Sequence, residues 1–208
     1  YSIAQQLDLD YTLYDQNYLK LMQTPIGTDK LAFSGSYDGN GYSVICSGIT
    51  SDNDCVGLFG YLTGTLKNMV FRANDLGNSI KGGSQATGAL VGINENGMIE
   101  YCEVAGFAVS GGNYVGGLVG QNSGTIKASY ANNASVSGTL SAGGLVGLIS
   151  GNSTISSCHA LGVISGGHSG GMAGDITGTT HIINCYTACS FNGASKNIDP
   201  FCKNTASV

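Results

Sequence analysis

One phrase is written five times in this chain: VGLFG (56–60), GALVG (88–92), GGLVG (116–120), GGLVG (143–147) and GGMAG (170–174). Its closing glycines, Gly60, Gly92, Gly120, Gly147 and Gly174, step by 32, 28, 27 and 27 residues. A short, steady period marks a repeat unit that buries its apolar face only by stacking on its neighbours. Each phrase is followed by a turn rich in Asn, Ser or Gly and then by a second apolar segment: TLKNMVF (65–71), MIEYCEV (98–104), TIKASYA (125–131), TISSCHA (154–160) and HIINCYT (181–187). A third segment comes next in most units, as FAVSG (107–111), ASVSG (134–138), GVISG (162–166) and CSFNG (189–193). No stretch of ten or more residues with helical periodicity separates them.

Three short strands in a unit of ~27 residues predict an all-β fold, a right-handed parallel β-helix of five to six coils in which each strand pairs one coil away. A propeller blade needs about 40 residues or more, so the period argues against that alternative. Stacking then predicts columns. Leu66, Ile99, Ile126, Ile155 and Ile182 form one interior ladder, Leu58, Leu90, Leu118, Leu145 and Met172 a second wall, and Val109, Val136, Ile164 and Phe191 a third. The repeated glycines fall where strands turn or coils approach closely. We expect one domain over 1–208: an N-terminal cap and first strands over 1–44, coils over 45–193, and a C-terminal cap or tail over 194–208.

Composition narrows the function. Charged residues are 10% of the chain and the net charge is −5. Arg72 is the sole arginine and the seven lysines are scattered, so the electrostatic footprint of a nucleic-acid binder is missing. No apolar run reaches the ~18 residues that span a bilayer. The chain opens at Tyr1, which suggests a processed chain or an excised domain.

The phrase GGLVGQNSGTIKASYA (116–131), with weaker copies on both sides, resembles the GLUG-motif repeat proteins. The N-terminal phrases YSIAQQL (1–7), NYLKL (17–21), PIG (25–27) and FSGSYDGNGYSV (33–44) resemble the openings of such proteins, so the likeness covers all but about the last fifteen residues. It implies a β-helix of the secreted or cell-surface kind, often adhesin-like. Some relatives carry a metallopeptidase domain, but this chain has no H-E-x-x-H segment, and peptidase activity is not carried over.

GHSGG (167–171) fits the G-x-S-x-G pattern of a nucleophile elbow. Aligned with the repeats, however, Ser169 falls in the column of Val115 and Ala142, and a strand follows it where the elbow needs a helix. Asp52 and Asp54 flank Asn53 in an expected loop and read as a solvated turn, with a weak calcium site as the alternative. His159, His168 and His181 occupy different repeat positions and form no ligand spacing. Arg72 shows no evident partner. No catalytic, cofactor or metal residues are assigned.

Cysteines divide into two groups. Cys102, Cys158 and Cys185 share a column with Met69 and Ser129 and read as small buried residues. Cys46 with Cys55, and Cys189 with Cys202, lie near the two ends and are candidate disulfides. The sequons at Asn133 and Asn152 permit N-glycosylation in a eukaryotic source.

What remains is surface pattern. Val70, Glu103, Tyr130, His159 and Tyr186 form an outward column, of which Tyr130, His159 and Tyr186 are a candidate interaction stripe for a glycan or a protein. Phe59, Val91, Val119, Val146 and Ala173 form a second outward apolar column by alternation, which needs cover from residues 1–30 or from another subunit. The expected function is a non-catalytic extracellular or cell-surface protein, adhesin-like or a structural subunit of an appendage. Its partner is a glycan, a cell-surface protein or another copy of the chain. The alternative is a carbohydrate-active β-helix enzyme, a polysaccharide lyase or hydrolase.

Overall fold

The computed structural model describes residues 24–75, 78–192, 197–199 and 201–204. It is a parallel β-solenoid of about six turns, each of about 27 residues, with no helix among the described residues. The described strands run in three sheets along the solenoid. The first sheet holds two short strands of each early coil, such as Val91–Asn94 and Met98–Glu100, which fuse into the long strands Val146–Ser156 and Ala173–Ile183 later on. The second sheet includes Val70–Ala73, Glu103–Ala105, Tyr130–Gly138, His159–Ser165 and Tyr186–Phe191. The third stacks Cys55–Val56, Ala86–Gly88, Tyr114–Gly116, Ser141–Gly143, His168–Gly170 and Asn197–Asp199.

The expected ladders stand in register. Leu66 pairs with Ile99, Ile99 with Ile126, Ile126 with Ile155 and Ile155 with Ile182, and the first four of these side chains are fully buried. Val109, Val136, Ile164 and Phe191 likewise follow one another across the second sheet. Ile26 and Phe33 bridge to Phe59 and Leu62 in parallel, and the stretches Asn197–Asp199 and Cys202–Asn204 pair with the coil before them. Residues 1–23 of the expected cap lie outside the described residues.

Segments read as single strands from the sequence prove to contain corners. Asn68, Tyr101, Ala128, Ser157 and Asn184 all have φ between 45° and 55°, inside TLKNMVF and its four counterparts. A left-handed residue turns the chain from the first sheet into the second, so each of these segments serves two sheets. The residue after it points inward: Met69, Cys102, Ser129 and Cys158 are buried. Its small heteroatom donates to the carbonyl two residues back, from Cys102 Sγ to Glu100 (3.3 Å), Ser129 Oγ to Lys127 (2.8 Å), Cys158 Sγ to Ser156 (3.2 Å) and Cys185 Sγ to Ile183 (3.3 Å). Thiol and hydroxyl recur in this column because the corner leaves a carbonyl to satisfy.

The second apolar column is also corrected. Phe59, Val91, Val119, Val146 and Ala173 are fully buried beside the Leu58 column, whose members are 0–3% exposed. Phe59 packs on Phe33 and Tyr37, with ring centroids 5.1 and 6.3 Å away, and Tyr37 pairs with the interior Leu66. The two columns flank the bend between the third sheet and the first, where strand alternation does not carry through. Being buried within one chain, this column offers no surface to a second subunit.

Candidate interaction face

Strict register on the second sheet places Ser43, Val70, Glu103, Tyr130, His159 and Tyr186 in one outward column. Tyr130 and His159 stack with centroids 4.4 Å apart and planes 11° apart, and His159 and Tyr186 stack at 4.9 Å and 8°. The expected stripe is therefore a single ordered pile of three rings. Rings piled in this way turn their faces to each other and their edges to solvent. Tyr186 is 58% exposed and ends the pile, because among the described residues its strand pairs only with His159–Ser165.

At the other end of the pile the ladder becomes polar. The Tyr130 hydroxyl donates to Glu103 Oε2 (2.8 Å), and Arg72 Nη2 donates to Glu103 Oε1 (2.7 Å). Arg72 thus has the partner that sequence reading did not find. It stands one coil back and one outward position over, since Arg72 pairs with Ala105 and Glu103 with Val70. The clue was the repeat register, which makes diagonal neighbours of residues 31 apart. The hydrogen bond to Glu103 raises the Tyr130 hydroxyl above its ordinary pKa, because the carboxylate favours the protonated phenol.

Burial lowers the His159 pKa below its ordinary value, opposed by the negative charge of Glu103. With the folded pKa depressed, the unfolded chain takes up the proton first as pH falls through ~6.5, and this contribution to stability is lost until the folded pKa is passed. Thermal unfolding of the wild type is expected to drop more between pH 7 and pH 5 than that of His159→Gln. Equal drops, measured by circular dichroism, would show that the ring's ionisation is not linked to folding.

The remaining expected sites resolve individually. Ser169 is fully buried, paired in register with Ala142, and its Oγ donates to the Gly166 carbonyl at 3.3 Å. His168 Nδ1 lies 3.3 Å from Asp175 Oδ2 on a different column from that serine. Asp54 accepts from Ser84 Oγ at 2.5 Å, and no group of three or more metal-ligating side chains occurs among the described residues.

The structure places the expected modification sites as follows. Cys46 and Cys55 are free thiols, and the Cys46 sulfur, almost wholly buried, exchanges hydrogen bonds with the backbone of Gly48 at 3.3 Å. Cys189 is also free, its sulfur directed to the carbonyls of Ala160 (3.5 Å) and Gly171 (3.6 Å), while the side chain of Cys202 lies outside the described residues. Asn133 is 4% exposed and its Nδ2 donates to the Gly117 carbonyl at 2.7 Å, so a glycan on that nitrogen is incompatible with the folded core. Asn152 is exposed and its sequon remains open.

Fold and register define the class: a parallel β-solenoid with an ordered aromatic and ionic ladder on one face. No family model matches the chain. It is 38% identical over 113 residues to halomucin of Haloquadratum walsbyi, a match that takes in 51% of this chain and 1% of halomucin's length. It also resembles a solved structure from Bacteroides ovatus described as a "putative immunoglobulin A1 protease", with a TM-score of 0.57 and 18% identity over 80% of this chain and 68% of that one. At that identity the likeness speaks for the fold alone.

Proposed function

We propose that this chain is a non-catalytic solenoid module, built from GLUG-type repeats, of a secreted or cell-surface protein, and that it binds glycan in an adhesin-like manner. The observation that carries the reading is the exposed Tyr186 ring at the end of the stack. His159 fixes its orientation, so a flat apolar face is ready for the C–H face of a sugar with little ordering cost. Ring edges along the pile and the Arg72–Glu103 pair supply hydroxyl-binding groups in the same row. The match to halomucin supports a surface setting.

A glycan array with the purified chain tests this. Tyr186→Ala is expected to lower binding at least tenfold with an unchanged unfolding midpoint, and His159→Ala to weaken it by releasing the ring. Full binding by Tyr186→Ala would remove Tyr186 from the site, and turnover of an arrayed glycan would favour the lyase or hydrolase reading.

Self-association into a structural subunit is the second reading. The strand Tyr186–Phe191 is paired on one side only among the described residues. Such an edge is a template for another chain. Light scattering that reports polymers would favour this reading, and a persistent monomer would exclude it.

A further inference from the structure

The corner column that runs Met69, Cys102, Ser129, Cys158, Cys185 places two thiols on consecutive coils at one point only. Ser129 separates Cys102 from Cys158, whereas Cys158 and Cys185 are direct neighbours 27 residues apart. The register on both sides of them is unbroken, with Ile155 opposite Ile182, Ser156 opposite Ile183 and His159 opposite Tyr186. Parallel rungs stand ~4.8 Å apart, within the ~4.4–6.8 Å between Cα atoms that a disulfide accepts. The Cys185 sulfur already reaches back to the preceding coil, 3.4 Å from the Cys158 backbone nitrogen.

We infer that Cys158 and Cys185 form a disulfide between adjacent coils when the folded chain meets a small-molecule disulfide. The two thiols differ in access and in acidity. Cys158 is 1% exposed, and Cys185 is half-buried. The neighbouring Cys158 thiol pulls the Cys185 pKa down, while the Cys185 thiol and burial push that of Cys158 up.

Cys185 therefore reacts first. Its thiolate attacks one sulfur of the oxidant, a mixed disulfide forms and one small thiolate leaves. Cys158, giving up its proton, attacks the Cys185 sulfur and expels the second small thiolate. Two protein thiols become one disulfide, and the oxidant is reduced to two small thiols. Cys189 does not compete, because its sulfur faces the carbonyls of Ala160 and Gly171.

The test treats the native chain with oxidised glutathione, blocks remaining thiols with iodoacetamide, and cleaves with cyanogen bromide after Met172, which lies between the two cysteines. Fragments 99–172 and 173–208 are expected to stay joined until reduced. Tandem mass spectrometry should place the bond between Cys158 and Cys185 in the wild type, without reliance on any variant. The link should persist in Cys189→Ser and vanish in Cys158→Ser and in Cys185→Ser. Recovery of both cysteines alkylated, or a bond mapped to another pair, overturns the inference. Neither outcome depends on glycan binding.

Discussion

Gly147→Ala is expected to remove most of the stability of the solenoid. A Cβ at this position would lie 2.5 Å from the Val115 nitrogen, 2.6 Å from the Gly120 carbonyl oxygen and 2.7 Å from the Tyr114 carbonyl carbon. All three are backbone atoms of neighbouring strands, so no side chain can swing aside. The same closeness recurs at Gly92, Gly120 and Gly174, where the first and third sheets meet backbone to backbone. Opening that seam shifts several coils together, and a cost above about 4 kcal/mol follows, against a typical total of about 5–15 kcal/mol. Gly35→Ala is the control, since its Cβ would meet only the Phe33 ring at 3.5 and 3.8 Å. Denaturant unfolding followed by circular dichroism reads the difference. Wild-type behaviour of Gly147→Ala would mean that the seam is loose.

Asn122→Ile is the second large effect. Leu62, Asn94, Asn122, Ile149 and Ile176 form one interior column, so the space accepts a branched apolar side chain. Chemistry supplies the cost. Asn122 Oδ1 accepts from Asn94 Nδ2 at 2.7 Å, and Asn122 Nδ2 donates to the Gly124 carbonyl at 3.0 Å and to Ser153 Oγ at 3.3 Å, all in the buried core. Removing one partner strands the others, at about 1–3 kcal/mol for each group left without a bond. The double variant Asn94→Ile/Asn122→Ile removes both amides together. It is expected to be no less stable than Asn122→Ile alone, which gives a coupling of at least about 1 kcal/mol in a double-mutant cycle. Strict additivity of the two single changes would show that the amides act independently.

These two predictions separate what a linear pattern reveals from what it hides. The ladder from Leu66 to Ile182 was legible because a steady period puts equivalent residues opposite one another whatever the shape of the coil. The outward column of Tyr130, His159 and Tyr186 was legible for the same reason. The burial of Phe59 and its counterparts was not, because alternation was carried across a bend, and neither was the Arg72–Glu103 pair, which is diagonal between coils. The inward position of Asn133 was hidden as well, since a sequon carries no information on which way its amide points.

By itself the sequence determined the period, the parallel stacking and the membership of each column, since these depend only on residue spacing and on burying apolar side chains by repetition. Only the tertiary structure decided where each coil turns, through left-handed residues such as Ala128 and Ser157 that no composition rule picks out. It also decided that three outward rings would spend their faces on one another. The direction of a side chain at a corner follows from backbone dihedrals and from the atoms of the next coil, and neither is written in the spacing.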